Sequence, residues 1–268
     1  MNSTSDGHIN DGHINEPAVA ARPLKGPEGA LASLPQQRAG LPARLWPGVG
    51  IAFAAISGFF VARFPVRPEL AIVSAIFVLV FAWPSYSAVV RWLGAQRGVR
   101  LLVILGVYAL VLETVAVKTG VPYGRFSYGP KIGKLLFDAV PWTVPFSWTP
   151  LALWALWRAK GNVFLAGSLL VAVDLCLDPG AVAQGFWSYG AGGAYFAVPF
   201  SNFVGWMLSG TLGAGLGRGV DWREAPAEAR TSGLLSIAFW TSVCLNMSLW
   251  VPGLVGVALI VGSLLPKK

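Results

Sequence analysis

Three carboxylic acids interrupt otherwise apolar stretches of this 268-residue chain: Glu113, Asp174 and Asp178. A carboxylate is costly in hydrocarbon and persists there when it faces a protein interior or a cavity. Away from water a carboxyl group keeps its proton near neutral pH, because desolvation disfavours the charged form. That makes such a group a candidate general acid. Asp174 and Asp178 are four residues apart and share one helix face. Glu113 and Asp174 each follow the start of their helical run, taken at Leu101 and Asn162, by 12 residues. That is about 18 Å of helical rise, so the two groups share a depth if the helices are neighbours. Asn202 enters the same zone from a later run. These side chains can line one polar pocket. Two other readings stand beside this one. A buried carboxyl can simply bond an indole N–H, a tyrosine hydroxyl, a lysine or a break in the backbone, and an ion or proton pathway would use the same three acids.

The missing residue types narrow the chemistry. Both histidines, His8 and His13, belong to a tandem DGHIN repeat in the polar amino-terminal region. Haem held by histidine, or a di-iron hydroxylase or desaturase built on histidine clusters, is therefore not expected. No HExxH, GxGxxG or GxxxxGK[ST] motif is present. DLCLDP offers too few acids in too apolar a setting for a diphosphate-binding Mg²⁺ array. Cys176 and Cys244 form no CxxC and read as small buried apolar side chains. The expectation is no metal and no cofactor. What remains is acid–base chemistry on a membrane-soluble substrate, transport, or a structural role.

Elements able to position these acids follow from composition. Hydrophobic residues make up 55% of the chain and charged residues 12%, against about 25% in soluble domains. Mean hydropathy is +0.62. Apolar runs occupy 45–63, 69–90, 101–117, 140–157, 163–178, 198–216, 231–247 and 249–265. The last two are barely separated. The expected fold is an all-α, polytopic integral membrane bundle of seven or eight transmembrane helices over residues 45–266. Residues 1–44 read as a disordered basic tail broken by prolines. With eight spans and a cytoplasmic amino terminus, 14 Lys and Arg fall on the inner side and 6 on the outer. Both termini are then expected to be cytoplasmic, in a cell inner or plasma membrane. The net charge of +8 is expected to meet anionic lipid rather than nucleic acid. Gly205, Ser209, Gly213 and Gly217 form a stripe of small residues suited to close helix packing.

Two connections between the runs combine glycine and aromatics: TGVPYGRFSYGP at Thr119–Pro130 and GFWSYGAGGAYFAVP at Gly185–Pro199. Glycines permit tight turns and aromatic rings exclude water, so these loops can cap a pocket. Together with the acids before them, the blocks Glu113–Trp148 and Asp174–Trp206 resemble the bacterial carotenoid 1,2-hydratase family and related archaeal hydratases of a bacterioruberin precursor. The resemblance spans roughly residues 44–265. It implies an integral membrane enzyme without a redox cofactor. Such an enzyme adds water across the terminal double bond of an acyclic carotenoid, of lycopene or γ-carotene type, to give a tertiary 1-hydroxy group. It also implies other carotenoid-pathway enzymes as partners. The pattern falls here on Glu113, Gly124, Tyr128, Asp174, Asp178, Trp187, Asn202 and Trp206. Ala197 departs from it at a place where glycine is usual. The expected catalytic residues are Glu113, Asp174 and Asp178. The expected substrate-binding residues are Tyr123, Tyr128, Trp187, Tyr195, Asn202 and Trp206.

The chemistry of hydration suits these residues. An isolated trisubstituted alkene is a weak base, so the reaction begins with proton delivery to its less substituted carbon. Water then captures a tertiary cation, an acceptor that needs no Lewis acid. Glu113 or Asp174, each deep in its helix, is expected to be the acid, and Asp178 to orient or deprotonate the water. Trp187, Tyr128 and Trp206 can face the cation. The competing reading is a proton-coupled membrane transporter of a small or lipophilic molecule.

Overall fold

The computed structural model describes residues 41–64 and 66–265. The DGHIN repeat, both histidines and the expected tail before residue 41 lie outside the described residues. The fold belongs to the unit Arg44–Lys268. Among the described residues it contains eight α-helices: α1 Leu41–Arg63, α2 Ala71–Leu93, α3 Ala95–Thr119, α4 Val144–Arg158, α5 Val163–Ala183, α6 Phe200–Gly215, α7 Thr231–Asn246 and α8 Trp250–Leu264. Four short strands lie in the connections: β1 Phe126–Tyr128, β2 Leu135–Leu136, β3 Val140–Pro141 and β4 Trp187–Tyr189. β1 pairs antiparallel with β4, and β2 with β3.

The expectation of seven or eight membrane-spanning helices is corrected here. Among the described residues, three helical stretches are long and apolar enough to cross a membrane: Pro68–Leu93, Ala95–Thr119 and Val163–Ala183. Helices α4, α6, α7 and α8 have 15 or 16 residues each. At 1.5 Å per residue they rise about 22–24 Å, short of the ~30 Å of bilayer hydrocarbon. The apolar part of α1, Gly48–Arg63, is also short. An apolar run sets only an upper bound on helix length. The run at 140–157 opens as strand β3, and its helix starts at Val144. The run at 198–216 passes through Pro199 before α6 begins. The assignment of basic residues to two sides rests on eight alternating spans and falls with that count. The bundle itself is all-α; the strands, two or three residues long, lie in its connections, where the two glycine-rich segments pair.

The amphipathic logic of the long helices is inverted relative to a water-soluble bundle. On α3, Val99, Val103, Val107, Val111 and Val115 are exposed at four-residue intervals. A helix facing water would carry charge on that stripe. A helix facing hydrocarbon carries what is found here. The opposite faces meet in one core of Leu105, Trp148, Leu153, Trp154, Leu170, Val173 and Ile237. Trp154 donates its indole N–H to Ser263 Oγ at 2.9 Å, which satisfies a polar atom buried among apolar side chains. Cys176 and Cys244 are buried free thiols.

The small-residue stripe of α6 receives aromatic side chains rather than another helix backbone. Ser209 Oγ is 2.9 Å from the Tyr123 hydroxyl, and Gly213 lies under Trp148 and Tyr108. The close approach of α5 to α6 is made instead by Gly167 against Thr211 and by Gly210 against Leu170.

Candidate active site

The site forms where α3 and α5 hand over to their connections. Gly120 ends α3 in the left-handed conformation, with φ of 80°. The chain then reaches β1, which crosses β4 with Phe126 opposite Tyr189, Ser127 opposite Ser188 and Tyr128 opposite Trp187. Gly129 makes the crossing possible, because a Cβ there would lie 2.5 Å from the Gly185 carbonyl oxygen. Lys131 secures the same corner by donating to the Gln184 carbonyl at 2.7 Å.

Each strand sends one tyrosine to one acid. Tyr128 donates its hydroxyl to Glu113 Oε2 at 3.0 Å, and Tyr189 donates to Asp178 Oδ2 at 2.5 Å. Burial, and then the neighbouring carboxyl, pushes both hydroxyls well above the ordinary tyrosine range. They therefore stay protonated and act as donors. Asn202, on the first turn of α6, donates from Nδ2 to Asp174 Oδ2 at 2.6 Å and to Asp178 Oδ2 at 2.8 Å. The i, i+4 spacing read from the sequence thus becomes a pair of acids under one amide. Asp174 Oδ1 is buried without a hydrogen-bond partner among the described residues.

Glu113, Asp178, Asn202 and the two tyrosines border a cavity of about 530 Å³, in the ~300–1,000 Å³ range of ligand pockets. Glu113, Tyr123, Tyr128, Asp178, Trp187, Asn202 and Trp206 all line it. Trp187 lies 6.0 Å from the Tyr128 ring and 6.3 Å from Trp240, centroid to centroid. Tyr123 lies 6.1 Å from Trp206. Much of the remaining wall is aromatic, including Phe77, Phe81, Phe186 and Phe239. Among the described residues, no group of three or more His, Cys, Asp or Glu side chains is placed to hold a metal ion.

Two of the residues singled out from sequence are not on the cavity wall. Asp174 is fully buried and off the wall, and Asn202 ties it to the wall. Tyr195 points elsewhere: its hydroxyl donates to the Leu175 carbonyl at 2.9 Å. That contact has a local cause. Pro179 sits inside α5 and has no N–H, so the carbonyl four residues earlier loses its helical partner. Tyr195 supplies the replacement. Ala197 has φ of 64°, a backbone region that favours glycine, as its place in the sequence pattern suggested.

Tyr189 stands in one of the two glycine-rich connections but is not among the expected site residues. Its signal was available: FSYG at Phe126–Gly129 and WSYG at Trp187–Gly190 are matching tetrapeptides, and they are the two strands that cross.

Fold and site together define a membrane-associated helical protein that buries two tyrosine-bonded carboxyl groups in an apolar, aromatic cavity. A family model described as "Carotenoid biosynthesis protein" matches residues 68–263, and the chain belongs to that family. It is also 36% identical, over 180 residues, to bisanhydrobacterioruberin hydratase of Haloarcula japonica. The matched region covers 60% of this chain and 60% of that relative's length. No solved structure matches the chain.

Proposed function

We propose that the protein is a carotenoid hydratase, acting on the terminal trisubstituted double bond of an acyclic carotenoid end group. The observation that carries this reading is the placement of Glu113 and Asp178. They come from different helices, open onto one cavity walled by apolar and aromatic side chains, and each accept a tyrosine hydroxyl. Membership of the carotenoid biosynthesis family supplies the substrate class. The name of the Haloarcula japonica relative supplies the reaction type.

The steps follow from the chemistry of the alkene. Glu113 delivers a proton to the less substituted alkene carbon; a C–H bond forms as the π bond breaks. The partner carbon becomes a tertiary cation. The faces of Tyr128, Trp187 and Trp206 stabilise such a centre by roughly 0.5–2 kcal/mol. A water held at Asp178 attacks the cation, and Asp178 accepts the proton it sheds. The product is a tertiary alcohol. No electron is gained or lost, so the reaction calls for no redox partner. The cycle ends with Asp178 protonated and Glu113 ionised, and proton exchange restores the start. Asn202 holds Asp178 in place and links it to Asp174, whose second oxygen is open to a proton shared between the two acids.

The test is expression in a host that accumulates lycopene, with extracted pigments analysed by mass spectrometry. The expected result is new pigment heavier by one water per reacted end. Unchanged pigment, with the protein present in the membrane and the same pigment found bound to it, refutes the hydratase reading and favours binding or transport.

A further inference from the structure

The cavity is unevenly closed. Where the acids sit, its wall is buried: Glu113, Tyr123, Asp178, Asn202 and Trp206. Elsewhere the wall has an exposed lip. Phe60, Leu70 and Val73 are the large apolar lining residues that are also exposed, at 53%, 53% and 54%. Phe60 lies in the last turn of α1, and Val73 in the first turn of α2. Leu70 lies in the short 3₁₀ turn Pro68–Leu70 that precedes α2.

The medium outside the lip can be read from its neighbours. Phe53 and Ile56 continue it along α1, and Ile72, Ile76 and Val80 continue it along α2, all of them exposed. That continuous apolar face suits hydrocarbon. Arg63 and Arg67 lie between Phe60 and Leu70 in the chain, and Arg67 itself lines the cavity. Arginine beside an apolar helix end settles at the interface with the headgroups. The lip therefore opens sideways into lipid, near the level where hydrocarbon gives way to headgroups.

The α1 side of the lip lies outside the residues the family model matches. The family match begins at residue 68, after α1 has ended. Yet α1 contributes Ser57, Phe60 and Val61 to the lining. It is held against α7 by the Ser242 hydroxyl, which donates to the Ala55 carbonyl at 2.6 Å. Gly58 packs so closely there that a Cβ would meet Ser242 Cβ at 2.9 Å and would press on the Phe239 carbonyl.

We infer that the cavity is an end-on channel for a linear unsaturated hydrocarbon, entered from the lipid between α1 and α2 past Phe60, Leu70 and Val73. The end group of the chain meets Glu113 and Asp178. The rest of the chain runs back across the lip into the bilayer. The exposed lip leaves the cavity open on that side, so a chain longer than the cavity crosses it while its end reacts. Only the reaction at the closed end rests on the hydratase reading; the path rests on the lining.

Photo-crosslinking in the full chain tests the path without depending on turnover. A benzophenone amino acid is placed singly at Phe60, Val73 or Trp206. Val107, exposed on the outer face of α3, serves as the control. Membranes from a lycopene-accumulating host are irradiated, and pigment–peptide adducts are quantified and fragmented. Adduct at Phe60 and Val73 is expected to exceed the Val107 control by an order of magnitude, with attachment to internal polyene carbons. Adduct at Trp206 is expected on the end group. Yields at Phe60 and Val73 no higher than at Val107 overturn the channel, as do end groups captured at the lip. If the pigment is never hydrated but the map has the expected order, the channel stands and the hydratase reading fails. If hydrated pigment forms while the lip gives only control yields, the reverse holds.

Discussion

Replacing Tyr189 by phenylalanine removes one hydroxyl and keeps the ring that packs 5.8 Å from Phe126. It also keeps the backbone pairing of β1 with β4, so the perturbation is confined to the bond with Asp178 Oδ2. A hydrogen bond to a charged group is worth about 1.5–3 kcal/mol. Asn202 still donates to the same oxygen at 2.8 Å, so Asp178 keeps one of these two partners. If Tyr189 fixes the carboxyl that activates water, most of that energy appears in the barrier. At 1.36 kcal/mol per tenfold, turnover falls by about 10- to 100-fold. The assay is hydrated pigment formed per unit of membrane-inserted protein, in cells accumulating a linear carotenoid. Tyr195→Phe is the matched control, because its hydroxyl caps the Leu175 carbonyl and lies off the cavity. That variant is expected to lose about 1 kcal/mol of stability and to retain its turnover per folded molecule. Turnover in Tyr189→Phe equal to that of Tyr195→Phe refutes the assignment of Tyr189 to the site.

The acids themselves should separate by their place on the wall. Glu113→Gln and Asp178→Asn, both on the cavity, are expected to abolish nearly all hydration, whereas Asp174→Asn, off the wall, leaves measurable turnover; equal loss in all three would refute this ranking by place on the wall. Reaction in heavy-oxygen water without O₂ is expected to label the new hydroxyl, and label taken from O₂ instead would eliminate hydration. Gly205→Ala is expected to destabilise the protein by about 1–3 kcal/mol through overpacking, since its Cβ would lie 2.5 Å from the Tyr123 ring and 2.8 Å from the Pro122 carbonyl. Thermal unfolding in detergent measures it, and an unchanged midpoint would show that α6 can shift away from Tyr123.

The acids, the two aromatic connections and Asn202 were legible because their residue types are out of place. A carboxyl in an apolar run and a cluster of glycine and tyrosine between runs both ask for an explanation. Helix lengths were not legible from hydropathy, because the energy of transfer into lipid is silent about where backbone hydrogen bonding stops. Pro199 and the Val140–Pro141 strand shorten α6 and α4 without changing how apolar those runs are. Pro179 shows the opposite: it reads as the end of a helix, yet α5 continues through it to Ala183 because Tyr195 takes the freed carbonyl. Strands of three residues are too short to show a period. Hence the crossing of β1 with β4 was hidden, and with it the bond from Tyr189 to Asp178. Tyr195 and Tyr128 look alike in sequence, and only the fold aims one at a carbonyl and the other at Glu113.

The crossing of β1 and β4 gives the site an approximate two-fold design. Ser127 and Ser188 face each other at the centre, and an aromatic residue and a tyrosine flank each of them in opposite directions. Glu113 and Asp174 precede Tyr128 and Tyr189 by the same number of residues, so each half is a helix, an acid, a glycine turn and an aromatic-Ser-Tyr-Gly strand. The halves part company at one point. Tyr128 bonds the acid at the equivalent position, Glu113, whereas Tyr189 bonds Asp178, one helical turn beyond Asp174. Asn202 then joins the two acids of that half. A site built from two like halves has no intrinsic reason to give one carboxyl the proton and the other the water. The additional acid and its amide, present on one side only, break that equivalence; in the proposed hydration they set the direction in which the proton travels.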